Sequence, residues 1–162
     1  MRTEVREYVD RTINGLPPGE VIDVGSFDVN GHVKDLFVKR GWKYTGLDMK
    51  AGKNVDVVCT LADAPKVLNG KQFDCVSCLE TIEHVYDPVA FTADLKKLLK
   101  PGGLLILCTP GNGFATHRFP VDCWRLLPDV VTWLLNDLKD VSVLETSPGT
   151  NAAEVYAKGR KP

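Results

Sequence analysis

The chain has 162 residues, 44% of them hydrophobic and 25% charged, with a net charge of −1. This is one domain with material for a sizeable core and without the charge footprint of a nucleic-acid or membrane partner. No apolar run approaches the ~20 residues of a membrane span and the N-terminus lacks a signal-peptide pattern, so a cytoplasmic location is expected.

A helix is predicted over residues 3–14, with Val5, Tyr8, Val9 and Ile13 near one face. Gly15-Leu16-Pro17-Pro18-Gly19 ends it. A strand over 21–24 follows, then a helix over 32–40 that turns Val33, Leu36 and Phe37 inward and closes at Gly41. Strands over 43–47 and 55–59 flank a loop, and a short helix covers 65–68. The fourth strand runs over 73–78. Pro88 opens the next helix, which carries Phe91, Leu95, Leu98 and Leu99 and stops before Pro101-Gly102-Gly103. The fifth strand, 104–108, is almost wholly apolar, as a strand covered on both faces should be. A long loop over 109–127, a helix over 128–136 and strands at 141–145 and 154–158 complete the chain. The short separation of the last two implies a hairpin, hence an antiparallel C-terminal edge.

Alternating strands and helices predict a single doubly wound α/β domain, Rossmann-like, with a mostly parallel sheet of about seven strands. Ligands bind such sheets beyond the carboxyl ends of the strands, so Gly25, Asp48, Leu61, Cys78 and Thr109 should line one rim. The five cysteines are an odd number and mostly lie in apolar runs, which fits reduced, buried thiols. Cys75 and Cys78 have metal-ligand spacing, but within one strand they point to opposite faces, so packing is expected rather than zinc or redox chemistry.

Two strand ends carry the most chemistry. Glu20-Val21-Ile22-Asp23-Val24-Gly25-Ser26 runs into a glycine turn, and Tyr44-Thr45-Gly46-Leu47-Asp48 ends in an acid. Their separation is close to the ~20 residues of a strand–helix–strand unit that holds a ribose. A turn glycine lets backbone approach a ligand, and a carboxylate at the next strand tip can accept from both ribose hydroxyls.

The chain resembles the class I S-adenosylmethionine-dependent methyltransferases, in their small, single-domain, type 11-like form. Val21-Ile22-Asp23-Val24-Gly25-Ser26 resembles the cofactor-binding motif and Gly46-Leu47-Asp48 the ribose acid. The run from Phe73 to Pro88, with its Glu83-His84 pair, is similar to the fourth-strand motif, and Leu98 to Leu105 to the turn before the fifth strand. The resemblance implies S-adenosylmethionine as cofactor. It implies that Asp23 organises the loop and can receive the cofactor's ammonium, that Gly25 and Ser26 form the turn, and that Asp48 holds the ribose. Thr60 and Leu61 then meet the adenine edge, and Cys78 and Leu79 present backbone. Met49 is an adenine wall or core packing; Asp63 is a second adenine contact or a helix N-cap. The chain departs from the family where the motif's second and third glycines are absent, and Asn30-Gly31 can restore the turn further along.

Glu83-His84 reads as a general base or as a hydrogen-bonded pair fixing the loop before Pro88, with His84 nearer the substrate mouth. The run from Thr116 to Arg125 should sit over the transferred methyl. His117, Asp122 and Arg125 are its candidate substrate contacts, and His84, His117 and Asp122 the candidate catalytic residues. The alternative is a self-satisfied lid in which Asp122 pairs with Arg118 or Arg125 and Trp124 anchors to the core. No spacing supports a metal site from Glu83, His84, His117 and Asp122, and none is expected. The expected reaction is methyl transfer to an oxygen or nitrogen of a small-molecule or glycan-like acceptor. A non-catalytic cofactor-binding or partner-docking module is the alternative, as is a nicotinamide-binding oxidoreductase. A homodimer is left open. Cys78-Leu79-Glu80 stands where base-amino methyltransferases carry Asn/Asp-Pro-Pro-Tyr/Phe, which argues against a nucleic-acid substrate.

Overall fold

The computed structural model describes residues 2–162. Helix α1 spans Thr3–Ile13, strand β1 Glu20–Val24, α2 Lys34–Val38, β2 Lys43–Asp48 and β3 Val57–Val58. Then come α3 (Ala64–Val67), β4 (Phe73–Leu79), α4 (Pro88–Lys97), β5 (Leu99–Pro110), α5 (Pro128–Leu134), β6 (Lys139–Thr146) and β7 (Glu154–Arg160). The strands form one sheet in the order β3-β2-β1-β4-β5-β7-β6. Strands β1 to β5 pair in parallel, and β7 runs antiparallel to both β5 and β6. This is the predicted doubly wound architecture with its antiparallel edge. Strand order reverses between β1 and β4, and that switch point is where such a sheet opens a crevice.

Alternation along the strands divides the core into two layers. Ile22, Val24, Val76, Cys78, Leu105 and Leu107 pack with Leu95 of α4 and Val131 of α5 on one face. Val21, Cys75, Leu104, Ile106 and Cys108 pack with Val5, Val9 and Ile13 of α1 and Phe37 of α2 on the other. Cys75 and Cys78 thus lie on opposite faces, buried and unpaired. Among the described residues no helix is long and apolar enough to cross a membrane.

Three elements differ from the sequence reading, each for a local reason. Helix α2 is shorter at both ends: it begins only at Lys34, after an Asx-type turn in which Asp28 Oδ1 accepts the Gly31 N–H at 2.7 Å, and it stops at Val38, ahead of Gly41 at φ 80. Strand β3 keeps only two residues: Asp56 takes over the ladder, its Oδ2 accepting the Gly46 N–H and its own N–H donating to Gly46 O, both at 2.8 Å. Strand β5 starts upstream of Pro101-Gly102-Gly103, which forms an irregularity inside the strand: Leu99 pairs with Phe73 before the register shifts. At its other end β5 reaches Pro110 because β7 pairs with it along its length.

Candidate active site

The rim at β1 and β2 is stitched by backbone. Gly25 takes φ 81, and the N–H groups of Gly25 and Ser26 both donate to Leu47 O, at 2.9 and 3.1 Å. Asp48 is half-buried at the tip of β2. Its Oδ2 accepts the Phe27 N–H at 3.2 Å and its Oδ1 the Lys50 N–H at 2.9 Å. Each oxygen keeps a further lone pair for a ligand hydroxyl.

Asp23 lies deeper, 4% exposed. Ser77 Oγ and Tyr44 OH each donate to it at 2.6 Å, and Asn54 Nδ2 ties Tyr44 OH to Ser26 O. Burial pushes the Asp23 carboxyl up, against the pull of the two hydroxyls. Asp23 is therefore a buried anchor of the glycine turn, with both oxygens committed inside the protein. Tyr44 and Ser77 went unnoticed in the sequence. The signal was there: an acid inside an apolar strand needs donors, and strands β2 and β4 flank it. Ser26 is also turned inward; its buried Oγ faces the Cα of Gly46 rather than the rim.

Beyond β2 and β3 lies an open hollow of about 600 Å³, lined by Met49, Val58, Cys59, Thr60, Asp63, Lys66 and Val67. Met49 is 74% exposed and Val58 54%, which removes the core-packing alternative for Met49. Thr60, not Asp63, caps the turn that follows: its Oγ1 accepts the Asp63 N–H at 3.3 Å and donates to Asp63 Oδ2 at 2.7 Å. Leu61, Cys78 and Leu79 are buried, so only their backbone can meet a ligand.

Across the switch point, the loop over 111–127 folds back onto the tip of β4. The Cys123 N–H donates to Glu83 O at 2.7 Å, Trp124 Nε1 to Val85 O at 2.8 Å, and His84 Nδ1 lies 2.5 Å from Val121 O. Phe119 reaches the far rim, 6.2 Å from Phe27, with Lys50 Nζ over both rings. Under this loop Glu83 is fully buried. Its Oε1 lies 3.5 Å from His84 Nε2 and 3.3 Å from His117 Nε2, and its Oε2 accepts from Thr109 Oγ1 at 3.4 Å. The Glu83 carboxylate raises His117 above its ordinary value, against desolvation.

Asp122 and Arg125 were read as substrate contacts, and the structure commits both to the loop. Arg125 Nη1 and Nη2 grip Asp122 at 2.5 and 2.7 Å, while the remaining N–H groups donate to the carbonyls of Phe114, Ala115 and Trp124. Asp122 Oδ2 also accepts the His117 N–H at 2.6 Å, and the Asp122 side chain is 1% exposed. This is the self-satisfied lid, with Arg125 rather than Arg118 as partner. Trp124 is anchored by its indole N–H while its ring stays 39% exposed.

A second buried group, absent from the sequence reading, sits where β4, β5 and β7 meet. Cys108 Sγ lies 3.4 Å from Glu80 Oε1 and 3.3 Å from Glu154 Oε2, and Arg2 Nη1 donates to Glu154 at 2.8 Å. Burial first, then the charges of Glu83 and Glu154, push the Glu80 carboxyl up to about 9. Unfolded, it would titrate near ~4.3, so the folded state holds a proton that the unfolded chain releases across that window. The resulting stability is complete below ~4.3 and is lost as pH rises through about 9. Glu80→Gln should therefore raise the melting temperature more at pH ~8 than at pH ~5. An equal shift at both values would mean that Glu80 is not held protonated.

A family model described as a methyltransferase domain matches residues 1–148. The ubiquinone biosynthesis O-methyltransferase of Aliivibrio fischeri strain MJ11 is 28% identical over 127 residues, covering 70% of this chain and 53% of that protein. Its Parvibaculum lavamentivorans counterpart is 39% identical over 70 residues, 43% of this chain and 27% of that one. The chain thus spans about half the length of the curated relatives it matches. Among solved structures, an Archaeoglobus fulgidus SAM-dependent methyltransferase superposes with TM-score 0.72 at 15% identity, over 96% of this chain and 94% of that one. The Burkholderia thailandensis 1,6-didemethyltoxoflavin-N1-methyltransferase, solved with its substrate and S-adenosylhomocysteine, gives 0.69 at 16% identity, over 98% and 77%.

Proposed function

The chain belongs to this methyltransferase-domain family, and on that premise we propose that it moves a methyl group from S-adenosylmethionine to an oxygen or nitrogen of a small-molecule or glycan-like acceptor. The observation that carries the reading is two half-sites facing each other across the β1–β4 switch point. One is the Gly25 turn with Asp48 and the exposed Met49 and Val58. The other is Glu83, His84 and His117 under the loop after β5.

The residues present suit the cofactor. Asp48 has lone pairs left for two ribose hydroxyls, and Met49 and Val58 offer apolar walls to a purine at the adjoining hollow. S-adenosylmethionine supplies an activated methyl on a sulfonium, so the protein's part is chiefly alignment. The lid over 111–127 folds back over the tip of β4 and brings His117, whose imidazole Glu83 raises above its ordinary value, together with His84 on that side of the crevice. The oxygen and nitrogen chemistry named in the Aliivibrio and Burkholderia relatives supports the same acceptor class. Family membership favours this reading over a nicotinamide-dependent one.

Asp48→Ala should weaken S-adenosylhomocysteine binding by roughly 1.5–3 kcal/mol in calorimetry, the range for hydrogen bonds to a charged group. Asp48→Glu should weaken it less. Unchanged affinity in the alanine variant removes Asp48 from the site. Turnover of S-adenosylmethionine with a panel of hydroxyl and amine acceptors tests the activity itself; cofactor binding without transfer to any of them supports the non-catalytic module.

A further inference from the structure

From the convergence of three side chains under the lid we infer that Glu83, His84 and His117 form a binding site for a divalent cation of the zinc type. Each of the three residues offers a ligand atom within 4.8 Å of those of the other two, and Glu83 Oε1 lies against Nε2 of both imidazoles. A tetrahedral ion with bonds of about 2.0–2.1 Å sets its ligand atoms ~3.4 Å apart. The two distances from Oε1, 3.5 and 3.3 Å, match that edge.

The contacts are not ordinary hydrogen bonds. Glu83 is 0% exposed, and its Oε1 has no hydrogen-bond partner despite two imidazole nitrogens nearby. A buried carboxylate oxygen left this way is costly, and a cation at the common focus of the three atoms would satisfy it. The imidazole rings stand 5.0 Å apart at 77°, so they approach that focus from different directions.

The groups behind the ligands have the arrangement metal sites use. His84 Nδ1 lies against Val121 O, a position that suits the Nδ1–H tautomer, and in that tautomer the Nε2 lone pair faces Glu83. His117 Nδ1 lies 3.7 Å from Asp122 Oδ2, and Asp122 is itself gripped by Arg125. Thr109 holds the other oxygen of Glu83. Two histidines and one glutamate are a ligand set of catalytic zinc, whose fourth position takes water or substrate. His117 is 36% exposed, so that position lies toward the mouth. Resting here on the methyl-transfer reading, the cation would bind an acceptor hydroxyl and act on it as a Lewis acid.

The test is titration of chelator-treated protein with Co²⁺, in a Cys123→Ser background so that this exposed thiol cannot recruit the ion. The expected result is one ion per chain with the intense visible bands of a tetrahedral site. His117→Ala should lower the affinity by about tenfold or more. Glu80→Gln, in the neighbouring carboxylate group, should leave it unchanged. Absence of stoichiometric binding, or binding unaffected by both His84→Ala and His117→Ala, overturns the proposal and leaves Glu83 and His117 as an ion pair. S-adenosylhomocysteine binding is measured separately on the metal-free protein. If it fails while cobalt binds, the methyl-transfer reading falls and the metal site stands; if it succeeds while cobalt does not bind, the reverse holds.

Discussion

Gly25→Val should abolish S-adenosylhomocysteine binding and lower the stability of the fold by about 2–6 kcal/mol, combining backbone strain with overpacking. Gly25 takes φ 81, a region that β-branched residues avoid. A Cβ there would lie 2.1 Å from Thr81 Oγ1 and 2.6 Å from Thr81 Cγ2. From the sequence, the glycine turn leaves this space open for a ligand. The structure fills it with Thr81, whose hydroxyl donates to Leu79 O at 3.1 Å. The first casualty is thus the packing of the β1 turn against the tip of β4, and the cofactor rim goes with it. Urea titrations of Gly25→Ala, Thr81→Gly and the double variant separate the two causes. The double variant should recover the steric part and retain the strain of positive φ. If Gly25→Ala costs nothing alone, the turn is not under this constraint.

The elements most legible in the sequence were those set by period and punctuation. Alternation placed Cys75 and Cys78 on opposite faces, and the turn residues between β6 and β7 announced the hairpin. The pattern did not say that β7 would slot between β5 and β6, because an apolar strand carries no address for its partner. The site was legible where it follows the chain locally, as at the Gly25 turn and the strand-end Asp48. It was opaque where loop and strand meet across long separations. Asp23 needed Tyr44 and Ser77 to explain its burial. Glu83 and His117 come within 3.3 Å only because the loop after β5 doubles back, and no spacing rule encodes that return.

The same return fixes the fate of Arg125, which a list of polar residues near the mouth assigns to substrate. Its N–H donors meet the two oxygens of Asp122 and the carbonyls of Phe114, Ala115 and Trp124, so one guanidinium ties both ends of the lid. Arg125→Ala leaves the Asp122 carboxylate, 1% exposed, without its cation. Removing one partner of a buried pair costs about 3–5 kcal/mol, and the low end applies because the Arg125 side chain is 21% exposed. That exceeds what an irregular loop can absorb, so the lid should open while the sheet stays folded. Hydrogen exchange should rise sharply across 111–127, S-adenosylhomocysteine affinity should hold because Asp48 is on the far rim, and methyl transfer should be lost. Arg125→Lys should not rescue it, since a single ammonium cannot span five acceptors in a fixed plane. Acid should have the same effect in the unaltered protein. The Arg125 guanidinium holds the Asp122 carboxyl well below the usual range. Its contribution is therefore complete above the ordinary carboxylate pKa of ~3.9 and disappears only as pH falls through the depressed value. Lid exchange should stay slow down to pH ~4 and accelerate below it. Exchange in Arg125→Ala no faster than in the parent would show that the lid is held by something other than this pair.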